Sequence, residues 1–147
     1  MTYFIFMIVL ALFGVGETVY LISKRRKNQK PVCLGKDDCN LVLNSKYNKI
    51  FGVHNDVLGL VFYAFVFISH LIFLADFLAI DFVHQADDFV RILLLAFIFV
   101  LFVSFIMSLR FVFLMAFKVK AWCQWCVGSA VTVGLMVLIV LFYLGTA

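Results

Sequence analysis

Four long apolar runs separated by polar stretches organise this chain. They cover Thr2 to Ile22, about Val57 to Ile80, about Phe89 to Phe117, and Ala121 to Leu144. A hydrocarbon core of about 30 Å is crossed by about 20 helical residues, so each run is long enough to span it. Backbone polar groups cannot stay open in lipid, so the runs predict helices packed as an antiparallel bundle. The connections are unequal. The first, Ser23 to Asp56, is long and polar; the second, Asp81 to Asp88, is short and acidic; the third is only Lys118 to Lys120. The expected fold is an all-α integral membrane protein. It is a four-transmembrane-helix bundle with a long cysteine-bearing loop (23–56) between helices one and two, and it forms one domain over residues 1–147.

Composition agrees with that reading. Of 147 residues, 66% are hydrophobic and 14% charged, more apolar surface than a soluble domain of this size can bury. The net charge of +4 resides in lysines and arginines beside membrane segments, so no nucleic-acid partner is expected. The apolar N-terminus lacks a basic leader and an obvious small-residue cleavage site, which reads as a retained helix rather than a signal peptide.

The pattern also gathers the chemistry. Helices that alternate in direction put loops one and three on the same membrane face. Cys33 and Cys39 lie in loop one, while Cys123 and Cys126 open the fourth run within WCQWC. All four cysteines are therefore expected at one end of the bundle. A Cys-x-x-Cys at a helix start meets unpaired N–H groups and the positive end of the helix dipole, both of which favour a thiolate. Lys118 or Lys120 is expected to help. Cys126 lies one turn deeper in apolar surroundings, suited to a lipid-soluble oxidant, whereas Cys33 and Cys39 are expected within reach of water. Two pairs so placed form a path for thiol–disulfide exchange. Two structural disulfides or a four-cysteine zinc site are the other readings of the same residues.

The layout resembles the vitamin K epoxide reductase family of membrane thiol oxidoreductases. The resemblance is carried by VCLGKDDCNLVLNSKYNKIFG (32–52), HNDVLGLVFY (54–63) and WCQWC (122–126), and it covers nearly the whole chain. Within it, Cys33 and Cys39 are followed by Ser45, Tyr47 and Gly52, and Tyr20 matches a recurring tyrosine near the end of helix one. The resemblance implies that Cys33 receives electrons from a thioredoxin-like protein, Cys39 exchanges with Cys123, and Cys126 faces a quinone. Ser45 would support the active disulfide by hydrogen bonding, and Asn55 would donate to a quinone carbonyl. Ala130 stands where animal members carry a tyrosine, which implies general quinone chemistry rather than recognition of vitamin K epoxide. Because the sequence runs out after helix four, the thiol partner is expected to be a separate protein.

Several other residues are weighed beside these. Asn55 has a second role as N-cap of helix two. Trp122 and Trp125 are interfacial anchors and candidate walls for the quinone ring. Glu17 and Arg110 each lie about 10–12 Å inside a helix end at about 1.5 Å per residue, and are expected to pair or, for Arg110, to snorkel. His70 and Asp76 are expected on the opposite side as bundle contacts or helix-end charges. Orientation draws two arguments. Lys24, Arg25, Arg26 and Lys27 abut helix one, which by the positive-inside rule puts the cysteine face in the cytoplasm. Disulfide chemistry and the resemblance put it outside. The extracytoplasmic placement is the expectation.

The expected function is a quinone-coupled thiol oxidoreductase supporting disulfide formation. Its acceptor would be a quinone of the ubiquinone, menaquinone or vitamin K type, and no metal is expected. The rival enzyme reading is a vitamin K quinone or epoxide reductase. The rival non-enzyme reading is a disulfide-braced or metal-binding membrane scaffold.

Overall fold

The computed structural model describes residues 2–33, 38–78 and 87–146. Four helices in it are long and apolar enough to cross a membrane. They are α1 (Thr2–Arg26), α3 (Asn55–Leu78), α4 (Asp87–Leu114) and α5 (Gln124–Thr146), with a short α2 (Cys39–Asn44) in the first connection. A two-residue hairpin, β1 (Lys49–Ile50) and β2 (Val53–His54), leads into α3. Its turn residues Phe51 and Gly52 both have positive φ, 51° and 82°, as a tight hairpin turn requires. Residues 34–37 of loop one and 79–86, most of the expected acidic second connection, lie outside the described residues.

The helices extend beyond, or start away from, the expected limits. Hydropathy marks where lipid ends, not where helical hydrogen bonding ends. Thus α1 continues to Arg26 rather than stopping at Ile22. Lys24, Arg25 and Arg26 fill its last turn, where cations oppose the negative end of the dipole. Asn28, at φ 51°, then turns the chain away. The fourth span starts at Gln124 rather than Ala121. A π-helical turn, Met115–Val119, ends α4, and Lys120 adopts a left-handed conformation that helical backbone cannot continue through.

The spanning helices close a ring. α1 packs along α3, α3 meets α4, α4 meets α5, and α5 returns to α1. Gly14 makes room for Tyr63 of α3 against α1, because a Cβ there would run into the Tyr63 ring. Met7, Ala11, Val66, Phe97, Leu101 and Met136 fill the interior. His70 belongs to this core. It is fully buried, its Nδ1 lies 2.9 Å from the Val66 carbonyl, and Phe73 and Phe97 meet its ring edge-to-face. Asp76 is exposed near the end of α3. Large side chains such as Phe99 and Phe142 point outward, where lipid replaces the core that a soluble bundle would need.

Candidate functional site

A second, smaller cluster sits at the loop-one end of the bundle. Cys39, Val42, Phe111, Met115, Ala121 and Cys123 are its buried members, and Cys33 and Cys126 pack against it. The topological argument from loop parity therefore holds in three dimensions. Cys33 and Cys39 form a disulfide. Asp38 starts α2 by accepting from the Leu41 N–H at 3.0 Å, which sets Cys39 at the first position of that helix. Cys39 is 2% exposed, so only Cys33, half-buried, retains access from water. The expectation that both loop cysteines are reachable from water is corrected for Cys39. Its helix turns it inward onto the Cys123 cluster.

The segment before Cys33 is held from two sides. Val32 N–H donates to the Tyr20 hydroxyl at 3.0 Å, and its carbonyl accepts from the Trp125 indole N–H at 2.8 Å. The Tyr20 and Trp125 rings meet at 4.9 Å between centroids.

Cys123 and Cys126 are free thiols. Cys123 occupies the residue before α5 and accepts the Cys126 backbone N–H at 3.4 Å, so the sulfur acts as a helix cap. The Cys126 thiol donates to the Cys123 sulfur across 2.8 Å. That hydrogen bond pushes the Cys123 thiol below its ordinary range. Burial opposes it, and the backbone N–H groups of Cys126 and Trp125 reinforce it. Hydrogen bonds do what was expected partly of Lys118 or Lys120.

Cys126 lines a cavity of about 520 Å³, within the size range of small-molecule sites. The wall is largely apolar, with Phe62, Val103, Met107 and Phe111 among its members. Trp125, Asn55 and Ala130 also line it. Asn55 is the first residue of α3, and its side chain makes no hydrogen bond among the described residues, so it does not cap the helix. Asp56 Oδ1 accepts the Val57 N–H at 3.0 Å instead.

Two of the expected site residues lie elsewhere. Trp122 is absent from the cavity wall. It is 48% exposed and borders an outer groove with Leu10 and Phe13. The helix begins after it, so it does not share the inward phase of Trp125. Ser45 ends α2, and its hydroxyl donates to the Val42 carbonyl at 2.8 Å. It faces a shallow outer groove with Asn44 and Tyr47.

Other residues at the site escaped the sequence reading. Arg25 binds both carboxylate oxygens of Asp56, at 2.9 and 3.2 Å, and the Asp56 side chain is 1% exposed. Asn48 is buried at the cavity wall and donates to the Leu43 carbonyl at 2.8 Å. Tyr63 Oη and Ser129 Oγ hydrogen-bond across 2.7 Å at its inner part. The only sequence signal for these is polarity inside or beside an apolar run.

Glu17 also lines the cavity. It is 4% exposed, and its Oε2 is buried with no hydrogen-bond partner among the described residues. Its other oxygen lies against α5, where a Cβ on Gly128 would come within 2.7 Å of Oε1. The expected pair with Arg110 does not form: Arg110 is exposed on α4, and among the described residues the one ion pair is Arg25–Asp56. α1 and α4 are not among the closely packed helix pairs, and Arg110 is on the exposed side of α4.

Residues 5–141 match a family described as the vitamin K epoxide reductase family. No curated protein matches the chain.

Proposed function

Because this chain belongs to the vitamin K epoxide reductase family and is thereby a membrane thiol oxidoreductase, we propose that it carries two electrons from a thioredoxin-like thiol protein to a membrane quinone. The observation that supports this most is the single cluster holding Cys33, Cys39, Cys123 and Cys126, with Cys126 also on the wall of an apolar cavity. In this reading the partner's dithiol reduces the Cys33–Cys39 disulfide. Cys39 thiolate then attacks the Cys123–Cys126 disulfide at Cys123, and Cys33 resolves the mixed disulfide. The Cys123–Cys126 dithiol finally returns to its disulfide as the quinone becomes hydroquinone. The cavity fits such an acceptor: Trp125 supplies an aromatic wall, Asn55 an unengaged amide donor, and the rest of the wall is mostly apolar. Ala130 adds no polar group there, which supports a quinone rather than an epoxide as substrate. Ser45 acts at a distance, by fixing the end of α2 behind Cys39.

The cysteine end faces the extracytoplasmic side in this proposal, so that oxidation of the partner supports disulfide formation there. Labelling Cys33 in intact, mildly reduced cells with an impermeant maleimide tests it. Protection until the membrane is permeabilised would reverse the orientation.

Cys33→Ala tests the relay. Turnover with a thioredoxin-like donor should be lost, while dithiothreitol should still reduce the Cys123–Cys126 pair and sustain quinone reduction. Equal loss with both donors would make the loop disulfide a brace rather than an entry point.

A further inference from the structure

Glu17 is a cavity residue whose chemistry the relay leaves unused. It is an acid placed inside a transmembrane helix, it is almost wholly buried, and one of its oxygens has no partner among the described residues. Its other oxygen rests against α5 at Gly128, two residues after Cys126. The titratable groups near it are Tyr63 on α3, Cys123 just before α5 and Cys126 in its first turn. Among the described residues no ion pair holds it, and an unpaired carboxylate in such surroundings is costly. A carboxyl kept here at that cost, on the same wall as the reacting sulfur, has the position of a proton carrier.

We propose that Glu17 is the acid that hands a proton to the quinone oxygen during its reduction and recovers one from the Cys123–Cys126 dithiol. The inference rests on the quinone reading above. In the net step two S–H bonds break, the Cys123–Cys126 S–S bond forms, and two O–H bonds form on the quinone, which gains the electron pair. Both protons come from the thiols. One of them travels through Glu17: its O–H breaks as a quinone O–H forms, and a thiol proton then restores it. The carboxyl is unchanged over the cycle. Tyr63, engaged with Ser129, is a less free donor for this purpose.

Two measurements on the intact protein in detergent or vesicles test this. The first does not use turnover. Dicyclohexylcarbodiimide, an apolar reagent that couples to protonated carboxyls, should modify Glu17, detected by mass spectrometry, and menadione should suppress the modification. The second follows menadione reduction by the pre-reduced protein. Glu17→Gln keeps the shape but cannot exchange a proton, and should slow this step by about 100-fold, the scale of a general acid. Reduction of the Cys123–Cys126 disulfide by dithiothreitol should keep its rate. Glu17→Asp, the poorer fit but still an acid, should retain more activity than Glu17→Gln. The opposite order would make Glu17 a space-filling residue and overturn the proposal, as would labelling that menadione leaves unchanged. Both outcomes presuppose that the unaltered protein reduces menadione. If it does not, the quinone reading itself fails and this inference falls with it.

Discussion

The indole N–H of Trp125 donates to the Val32 carbonyl across 2.8 Å, joining positions 93 residues apart in the chain. Trp125 sits between the two cysteines of the helix pair, and Val32 precedes the first cysteine of the loop pair. With Tyr20 holding the Val32 N–H, both polar groups of one peptide segment are occupied, and Cys33 is carried on a fixed strand of chain. In the proposed relay, Tyr20 and Trp125 would be positioning residues for exchange between the pairs.

Trp125→Phe tests that role. It keeps a ring against Tyr20 but removes the donor. Losing one net hydrogen bond of about 0.5–1.5 kcal/mol should slow electron transfer from the loop pair to Cys123–Cys126 by roughly two- to tenfold. Quenched alkylation of the thiols over time measures it. An unchanged rate, with stability also unchanged, would mean that the disulfide alone places Cys33.

Asn55 is expected to act on ligand rather than on helix stability. Since its side chain caps nothing, Asn55→Asp and Asn55→Ala should both leave the melting temperature nearly unchanged. An ionised Asp cannot donate to a carbonyl oxygen. Both variants should weaken quinone binding by about 1–3 kcal/mol, which is about tenfold or more. Titration of quinone against each variant decides it, and wild-type affinity in Asn55→Asp would remove Asn55 from the ligand site.

The Arg25–Asp56 pair should be a stability element. Removing Arg25 leaves a carboxylate buried beside the cavity without its bidentate partner. Breaking a buried pair costs about 3–5 kcal/mol, and Arg25 is partly solvated, so Arg25→Met should cost roughly 2–3 kcal/mol. That corresponds to a melting temperature lower by roughly 5–10 °C for a chain of this size. Adding Asp56→Asn should recover much of the loss. A double variant no better than Arg25→Met would show that the pair is not what Arg25 contributes.

The thiol of Cys123 should titrate early in the reduced protein, because the Cys126 thiol hydrogen-bonds to the charged form. Its ultraviolet thiolate absorbance should rise at a pH below the ordinary cysteine value of about 8.5. Cys126→Ser keeps a donor and should leave the midpoint low, whereas Cys126→Ala should move it up. The sign for stability follows from the lowered folded-state value. The contribution is fully present above the unfolded thiol's pKa and is lost as pH falls through the folded one. Equal midpoints in the two variants would leave burial and backbone N–H groups as the only influences.

What the sequence alone determined is depth. Hydropathy located four spans. Their alternation placed Cys33, Cys39, Cys123 and Cys126 at one end, and both expectations hold in the folded chain. Asn55, Trp125 and Cys126 were legible as neighbours because each opens a helix at that end, and one cavity receives all three.

What only tertiary structure decided is azimuth, the direction each side chain takes around its helix, and the lateral order of the helices. Glu17 and Arg110 share a depth, yet α1 and α4 are not packed neighbours in the ring. Glu17 turns to Gly128 of α5, and Arg110 turns outward. Trp122 and Trp125 lie three residues apart, but the left-handed Lys120 delays the start of α5 until after Trp122. One indole faces outward and the other reaches Val32. Arg25 finds Asp56 across 31 residues because the end of α1 meets the start of α3. A hydrophobic profile is one-dimensional and apolar residues surround these helices, so lipid-facing and bundle-facing sides look alike in it. Close packing and hydrogen-bond satisfaction, which act between helices, settle which side is which.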